Sequence, residues 1–205
     1  MNEKIKSLID VCHNLHATGM VSGSGGNVSV YDSGKMYITP TGVSLGEVSE
    51  ENIVCVNVDD GTYSGDIRPS KEYIMHMECY RNRPDITAVV HVHSVYAVAM
   101  SCVLNPGDRV PVYFPGYAMR VGYLPLIQYY RPGSKELADD VGEIIKIRNS
   151  VMLCNHGVVT VGKDMSQALN IMEEIEENAK LYFIMKDHNG RTLTEEQVRE
   201  INPDP

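Results

Sequence analysis

The sequence lacks any hydrophobic run long enough to cross a membrane. Its 205 residues are 43% hydrophobic and 22% charged, which is ordinary for a soluble globular protein. A membrane helix needs about 20 consecutive apolar residues, and no stretch here reaches that length. The opening residues "MNEKIKSLIDVCHNL" mix both signs of charge without an apolar core, which argues against a secretion signal. We therefore expect a cytoplasmic protein that has no membrane partner.

The chain is also poor in positive charge and in closely paired cysteines. Lys and Arg number 18 against 27 Asp and Glu, which gives a formal net charge of -9. A field of that sign repels nucleic acid, so we expect no nucleic-acid partner, and an anionic substrate must be held by a local device. The five cysteines form no Cys-x-x-Cys and are typical of reduced, mostly buried thiols.

Apolar periodicity and turn residues divide the chain into helices and strands. Helical patterns cover residues 3–16, 70–83, 94–104, 134–148 and 164–187. Ser70 and Ser134 are the predicted N-caps of the second and fourth of these helices. Strand patterns cover a hairpin at 27–39 and residues 52–58, 86–93 and 151–162. The proline- and glycine-rich segment 106–133 predicts short strands and loops. Because no repeat or linker divides the chain, we predict one α/β domain over residues 1–190, with a polar tail at 191–205.

Two histidines stand two apart in the apolar run "AVVHVHS", residues 88–94. Strand side chains alternate between faces, so His91 and His93 share one face. His156, in "LCNHGVV", follows another strand end, where Gly157 lets the backbone turn. Three imidazoles from two strand ends suit zinc, which prefers nitrogen or sulfur ligands and keeps an open position when it is catalytic. The alternative is that these are satisfied polar residues at strand ends.

Other groups of ligand type have simpler interpretations. The remaining histidines lie on predicted helices or in the tail, and we interpret them as surface or helix-face residues: His13, His16, His76 and His188. Cys154 stands two residues before His156, so a metal role is open, although burial of a small thiol is the commoner outcome.

Glu72, in "RPSKEY", lies in the first turn of a predicted helix. The helix dipole favours an acidic residue there, which is one explanation. The other is that the carboxylate points at the metal and moves a proton. The turn-rich segments "SGSGGN" and "TPTG" are candidates for holding a phosphate through backbone amides, or they are simply connecting loops. Lys71 is a possible charge partner or an exposed lysine at the start of a helix.

In order and spacing, the segments "GSGGNVSV", "ITPTG", "RPSKE", "AVVHVHS" and "NHGVV" resemble the class II aldolase and adducin-head family, over about residues 3–187. The resemblance implies a three-layer α/β/α catalytic domain with a central, mostly antiparallel sheet. It also implies that zinc is held by His91, His93 and His156, with Glu72 as the acid/base and a possible fourth ligand.

The same resemblance implies a binding site for a sugar phosphate. The matching positions are Gly26, Asn27, Thr41, Gly42, Ser70 and Lys71, and Ser24 lies nearby as a further candidate for binding the phosphate. It further implies a homotetramer with active sites at subunit interfaces, each completed by a tyrosine of the neighbouring subunit. Tyr117, in "FPGYAMRVG", is the candidate for that catalytic tyrosine.

The family includes several reactions, and the sequence favours two of them. The first expectation is retro-aldol cleavage of a ketose phosphate similar to L-fuculose 1-phosphate, which gives dihydroxyacetone phosphate and a small aldehyde. The alternative is decarboxylation of 3-oxo-tetronate 4-phosphate, because the segment "PGYAMRVGYLPLIQYYRPGS" resembles that branch, and Lys71 replaces a serine of the fuculose branch. Glu72 argues against the 4-epimerase branch, which carries aspartate there. A non-catalytic, adducin-head-like interaction module is the second alternative, but such heads lack the metal site that this chain retains.

Overall fold

A seven-stranded sheet runs through the middle of the computed structural model, which describes residues 2–203. The strands are β1 (Asn27–Asp32), β2 (Lys35–Ile38), β3 (Val54–Asn57), β4 (Ala88–Val92), β5 (Leu126–Ile127), β6 (Ser150–Leu153) and β7 (Gly157–Gly162). They lie in the order β3-β2-β1-β4-β7-β6-β5, and every neighbouring pair is antiparallel except β5 with β6. The expected central, mostly antiparallel sheet is confirmed.

Helices cover both faces of this sheet. They are α1 (Glu3–Ala17), α2 (Tyr73–Asn82), α3 (Val95–Val103), α4 (Pro115–Arg120), α5 (Lys135–Ile145), α6 (Met165–Met185) and α7 (Glu195–Ile201). Side chains of α1, α3, α4 and α6 form one apolar cluster with the sheet, and those of α2 and α5 form a second one. Two cores on opposite faces make the three-layer α/β/α arrangement, which confirms the expected fold class.

The central strand β4 is buried on both faces, and its alternation sets the direction of the predicted ligands. Val90 and Val92 belong to the cluster that contains α6, whereas Val89 belongs to the cluster with α2. Because side chains alternate along a strand, His91 shares the face of Val89 and points toward the α2 layer.

The segment that precedes α2 differs from its prediction. Ser70 does not cap the helix, because a hydrogen bond from its backbone N–H to the Thr39 carbonyl (3.0 Å) holds it in a loop. Glu72 is the N-cap residue instead, and its backbone N–H donates to Ser70 Oγ at 3.3 Å. Ser134 does cap α5, accepting a hydrogen bond from the Leu137 N–H.

Two short helices lie where loops or a polar tail were predicted. Helix α4 lies within 106–133, where Pro115 at the first turn presets the backbone and Tyr117 and Ala118 are buried. Helix α7 lies within the 191–205 tail; Thr194 and Gln197 form a capping box there, and Val198 is buried. Met1, Asp204 and Pro205 lie outside the described residues.

The cysteines are mostly buried, as expected: Cys12, Cys79 and Cys154 are buried, and Cys55 and Cys102 are exposed. None of these five described cysteines forms a disulfide. No helix within residues 2–203 combines the length and the hydropathy of a membrane span.

Candidate metal centre

Glu72 and three histidines converge at the end of β4. The ligand atoms offered by Glu72, His91, His93 and His156 all lie within 4.8 Å of one another. His91 Nε2 is 3.0 Å from His93 Nε2 and 3.1 Å from Glu72 Oε2. His156 Nε2 is 3.3 Å from Glu72 Oε1. The structure thus brings together all four residues that the sequence selected as ligands.

The pairing of β4 with β7 places His156 beside the other two histidines. His156 ends the turn between β6 and β7, and β7 then runs antiparallel to β4. Gly157, directly after it, has no room for a side chain, since an added Cβ would lie 2.4 Å from the Val92 carbonyl oxygen and 2.9 Å from His93 Cδ2. This close approach of two backbones, rather than freedom to turn, is what requires glycine.

The hydrogen bond of His91 fixes which ring nitrogen faces the cluster. Its Nδ1–H donates to the backbone carbonyl of Val158 at 2.9 Å. The lone pair of Nε2 therefore points toward Glu72 and His93, which is the usual arrangement of a histidine that binds a metal.

Burial and neighbouring charges shift the pKa values of these four side chains in different directions. Burial, followed by the charges of neighbouring histidines, lowers the pKa of His93 and of His156 to about 4, so both rings are neutral at pH 7. Burial raises the pKa of Glu72, but the charges and hydrogen bonds of His91, His156 and Asn27 outweigh it and hold that pKa well below its usual range. Burial lowers the pKa of His91, but the charge of Glu72 and the hydrogen bonds with Glu72 and Val158 together outweigh it, so the net shift is upward. Two neutral imidazoles and one carboxylate anion are available to a cation.

The residues present fit a divalent metal. Three imidazole nitrogens and a carboxylate are the donor set that zinc favours. Glu72 Oε1 is buried and accepts no hydrogen bond from any described residue. The carboxylate makes no capping hydrogen bond to α2, so the helix dipole does not explain its orientation. Cys154 is not part of the cluster and is buried in the core.

One histidine is not where the sequence analysis placed it. His76, interpreted there as a surface or helix-face residue, is fully buried on α2 and joined by hydrogen bonds to Asn27 and Ser29. Asn27 Nδ2 in turn donates to Glu72 Oε2 at 3.0 Å. The spacing carried a signal, because His76 follows Glu72 by four residues and so lies close to it along a helix. The other three are on the surface as expected: His13, His16 and His188.

The three segments with predicted phosphate-site residues lie side by side. Backbone N–H groups of Thr41 and Ser70 donate to the carbonyls of Arg68 and Thr39, both at 3.0 Å. Thr39 also exchanges hydrogen bonds with Val28 in β1. These contacts place the 39–42 loop between the glycine-rich loop and the residues before α2.

Within these loops, exposure differs among the predicted residues. Ser24, Gly42 and Lys71 are exposed, Gly26 and Thr41 are half-buried, and Asn27 and Ser70 are buried. Gly26 has a φ of +74°, and an added Cβ would lie 2.9 Å from the His91 carbonyl oxygen, so the loop backbone passes directly beside β4. The side chain of Asn27 is committed to Glu72 and His76, so only its backbone could contact a phosphate.

Tyr117 is not brought to this centre. Its ring is fully buried, packs near Phe114 and belongs to the core cluster that contains α6. That cluster lies on the face of the sheet opposite to the one toward which His91 points. Within one chain Tyr117 therefore lies away from the metal centre, and its expected role at the site of a neighbouring subunit stays a prediction.

Comparison with known proteins agrees with this architecture. A sequence profile of the family described as Class II Aldolase and Adducin N-terminal domain matches residues 6–183. The 3-oxo-tetronate 4-phosphate decarboxylase of Haemophilus influenzae is 36% identical over 197 residues, which cover 95% of this chain and 93% of that protein.

Two further comparisons extend the same result. The L-fuculose phosphate aldolase of Methanococcus maripaludis is 38% identical over 183 residues, covering 89% of this chain and 98% of that protein. The crystal structure of YgbL from Klebsiella pneumoniae superposes with a TM-score of 0.91 at 33% identity and covers 98% of both chains. The chain belongs to the class II aldolase and adducin N-terminal domain family.

Proposed function

We propose that this protein is a zinc-dependent carbon–carbon lyase that releases dihydroxyacetone phosphate from a phosphorylated sugar derivative. The observation that carries the proposal is the convergence of His91, His93 and His156 on Glu72 at the end of β4. A non-catalytic interaction module has no need of three imidazoles directed at one buried carboxylate, so this arrangement favours an enzyme.

The cluster has the parts that such a reaction needs. When bound, the metal supplies a Lewis acid that stabilises the negative charge developing on substrate oxygens. His91, His93 and His156 would hold it, and Glu72 could serve as a further ligand in the resting enzyme. The buried carboxylate of Glu72 is also positioned to move a proton at the reacting carbon.

The chemistry of Glu72 is common to both candidate reactions. Cleavage of the carbon–carbon bond leaves an electron pair on the carbon next to the substrate carbonyl. In the retro-aldol reaction the Glu72 carboxylate would take the proton of the hydroxyl that becomes the aldehyde carbonyl, and in decarboxylation it would take one from water. Return of that proton to the carbon completes dihydroxyacetone phosphate in both cases. One acid/base residue therefore serves either substrate.

Backbone amides of the adjacent loops would hold the phosphate. The loops containing Ser24 and Gly26, Thr41 and Gly42, and Ser70 present polar groups next to the cluster without requiring net positive charge. Anchoring the phosphate at a fixed distance from the metal determines which carbon–carbon bond lies at the reacting position.

We propose decarboxylation of 3-oxo-tetronate 4-phosphate as the first candidate reaction. The similarity to the Haemophilus decarboxylase extends over 95% of the chain. The exposed ammonium of Lys71, next to Glu72 in sequence, would offer a partner for the substrate carboxylate. Retro-aldol cleavage of a fuculose-phosphate-like ketose, the reaction expected first from sequence alone, is the second candidate. The 38% identity to the Methanococcus aldolase supports it.

We also propose that the protein works as a homo-oligomer, most simply a tetramer. Large apolar side chains are exposed on α3, with Val95 69% and Val103 51% exposed, and on the adjoining α6, where Ile184 is 48% exposed. A second copy would remove these side chains from water. Light scattering coupled to size-exclusion chromatography tests this, and a monomer at micromolar concentration would contradict it.

Product analysis tests the reaction. Zinc-loaded protein is offered 3-oxo-tetronate 4-phosphate and, separately, L-fuculose 1-phosphate. Carbon dioxide together with dihydroxyacetone phosphate from the first substrate supports decarboxylation, and in that case Lys71→Ser should raise KM. A small aldehyde from the second substrate supports the aldolase candidate. Neither product from protein with full metal content would overturn both.

The metal site has its own test. We expect His93→Ala to abolish stoichiometric zinc binding and turnover while the protein stays folded, because one of three imidazole ligands is removed from a half-open site. Metal content is measured by atomic emission after dialysis, and folding by circular dichroism. His188→Ala, at an exposed histidine outside the cluster, is the matched control and should retain zinc. Undiminished zinc in His93→Ala would refute the ligand assignment.

A further inference from the structure

A chain of buried side chains leads from α2 and β1 to the carboxylate of Glu72. Tyr80 and the Ser29 hydroxyl are 2.8 Å apart, and Ser29 lies 2.7 Å from His76 Nδ1. His76 Nε2 lies 2.6 Å from Asn27 Oδ1, and Asn27 Nδ2 lies 3.0 Å from Glu72 Oε2. All five residues are buried, with exposures between 0% and 6%.

The fold explains why these five side chains meet. Asn27 and Ser29 lie two apart on β1 and point to the same face, toward the α2 layer. Asn27 is the cross-strand partner of His91, so its side chain lies beside the metal-facing end of β4. His76 and Tyr80 are four residues apart on α2 and face the strand together.

The hydrogen bond between Asn27 and Glu72 fixes the direction of every other hydrogen bond in this series. A carboxylate only accepts, so the end of the Asn27 amide that faces Glu72 must be its NH₂ group. The Asn27 oxygen then faces His76 and requires a donor, so His76 carries its proton on Nε2. In a neutral ring Nδ1 is then an acceptor; the Ser29 hydroxyl donates to it and accepts from the Tyr80 hydroxyl. Burial, followed by the charge of His91, lowers the pKa of His76 to about 3, in keeping with a neutral ring.

We propose that His76 is a positioning residue that acts through Asn27 to orient the Glu72 carboxylate. The Asn27 amide donates to Oε2 at 3.0 Å, while Oε1 faces His156 and accepts no hydrogen bond from the described residues. Were the His76 proton on Nδ1, Asn27 would have to turn its oxygen toward the carboxylate, and the two would repel. The tautomer of His76 thereby determines which oxygen of Glu72 is left for the reaction. The assignment of that oxygen to proton transfer rests on the proposed function.

Two substitutions separate this role from simple core packing. Glutamine places an amide nitrogen near the position of ring Nε2 and can still donate to Asn27. Asparagine reaches only the position of Nδ1, so it keeps the contact with Ser29 and loses the one with Asn27. Both remove a buried ring, so a role in packing alone predicts similar losses. We expect His76→Gln to retain kcat within about threefold, and His76→Asn to lose kcat by about 10- to 100-fold with little change in KM.

Two measurements do not depend on turnover. Solid-state ¹⁵N NMR of histidine-labelled, zinc-depleted protein, with His76→Gln as the reference that removes the signal, should show a neutral Nε2–H tautomer for His76. Crystal structures should show the orientation of the Asn27 amide and the Glu72 carboxylate kept in His76→Gln and changed in His76→Asn. An Nδ1–H tautomer, an unmoved Glu72 in His76→Asn, or equal kcat losses in two folded variants would each overturn the inference. If the wild-type protein turns over neither substrate, the proposed reaction fails, and the tautomer and the two crystal structures still decide the role of His76.

Discussion

Glu72 combines burial with negative charge, and its neighbours make this possible. Only 6% of the residue is exposed, yet His91, His156 and Asn27 keep its pKa well below the usual range. Isolated burial would instead favour the neutral acid. The carboxylate is therefore an anion at neutral pH that is ready to accept a proton or to bind a cation.

Substitution of this residue tests its part in proton transfer. We expect Glu72→Gln to fold and to lose kcat by at least about 100-fold, since the amide keeps the shape but cannot exchange a proton. Steady-state kinetics at verified zinc content measures the loss, and Glu177→Gln, at an exposed glutamate, is the control. A near-normal kcat would mean that another group moves the proton.

Gly157 allows β7 to lie unusually close to β4, because it has no side chain. We expect Gly157→Ala to lower the free energy of unfolding by about 1–3 kcal/mol and to weaken zinc binding, because the methyl group would displace the Val92 carbonyl and the His93 ring. Denaturant unfolding and zinc titration measure the two effects. Gly107→Ala is the control, because its methyl group meets nothing within 4 Å and only the positive φ is strained. Unaltered zinc affinity in Gly157→Ala would show that the strand ends can separate without disturbing the site.

At the scale of elements, the start of α3 is fixed by a side chain from α6. The carboxylate of Glu176 accepts hydrogen bonds from the Ser94 hydroxyl at 2.7 Å and from the N–H groups of Tyr96 and Ala97 at 3.0 and 2.8 Å. An anion at a helix N-terminus satisfies free N–H groups and interacts favourably with the helix dipole. Because His93 directly precedes Ser94, the same contact helps to fix the position of that proposed ligand.

Removal of this contact has a measurable consequence. We expect Glu176→Ala to lower the free energy of unfolding by about 2–3 kcal/mol, since charge-assisted hydrogen bonds are lost and donors are left without partners. Zinc affinity should fall with it. Glu177→Ala, one residue away and exposed, should change stability by less than about 0.5 kcal/mol. Equal unfolding midpoints for the two variants would contradict the role assigned to Glu176.

At the scale of the whole molecule, the buried His76 links the centre to folding stability. Its pKa of about 3 in the folded protein is below the value of about 6.5 expected in an unfolded chain. The unfolded state therefore binds a proton more readily between these values. The stability contributed by the neutral ring is complete above about pH 6.5 and is lost as the pH falls toward 3.

The variant series already described measures this effect. Between pH 7 and pH 5 the contribution of one such histidine is about 2 kcal/mol. From pH 7 to pH 5, the free energy of unfolding of the zinc-depleted wild-type protein should therefore fall by about 2 kcal/mol more than that of His76→Gln. Urea titrations at both pH values give the difference, and His188→Gln should behave as wild type. Identical losses in wild type and His76→Gln would contradict a neutral, buried His76.

The sequence by itself determined which residue types could bind a metal and the periodicity of each helix and strand. The alternation of "AVVHVHS" placed His91 and His93 on one face, and the apolar pattern predicted most helices and strands to within a few residues. Tertiary structure decided which elements are neighbours. Only the antiparallel contact of β4 with β7 brings His156 to the other ligands, and only packing of α2 on β1 buries His76 and commits Asn27 to Glu72. The same packing withdrew Tyr117 into the core. Local patterns encode the period and the burial of a segment, whereas contacts between distant segments depend on how the whole chain packs. The residues of the candidate cluster were therefore predictable, and the burial of His76 behind them was not.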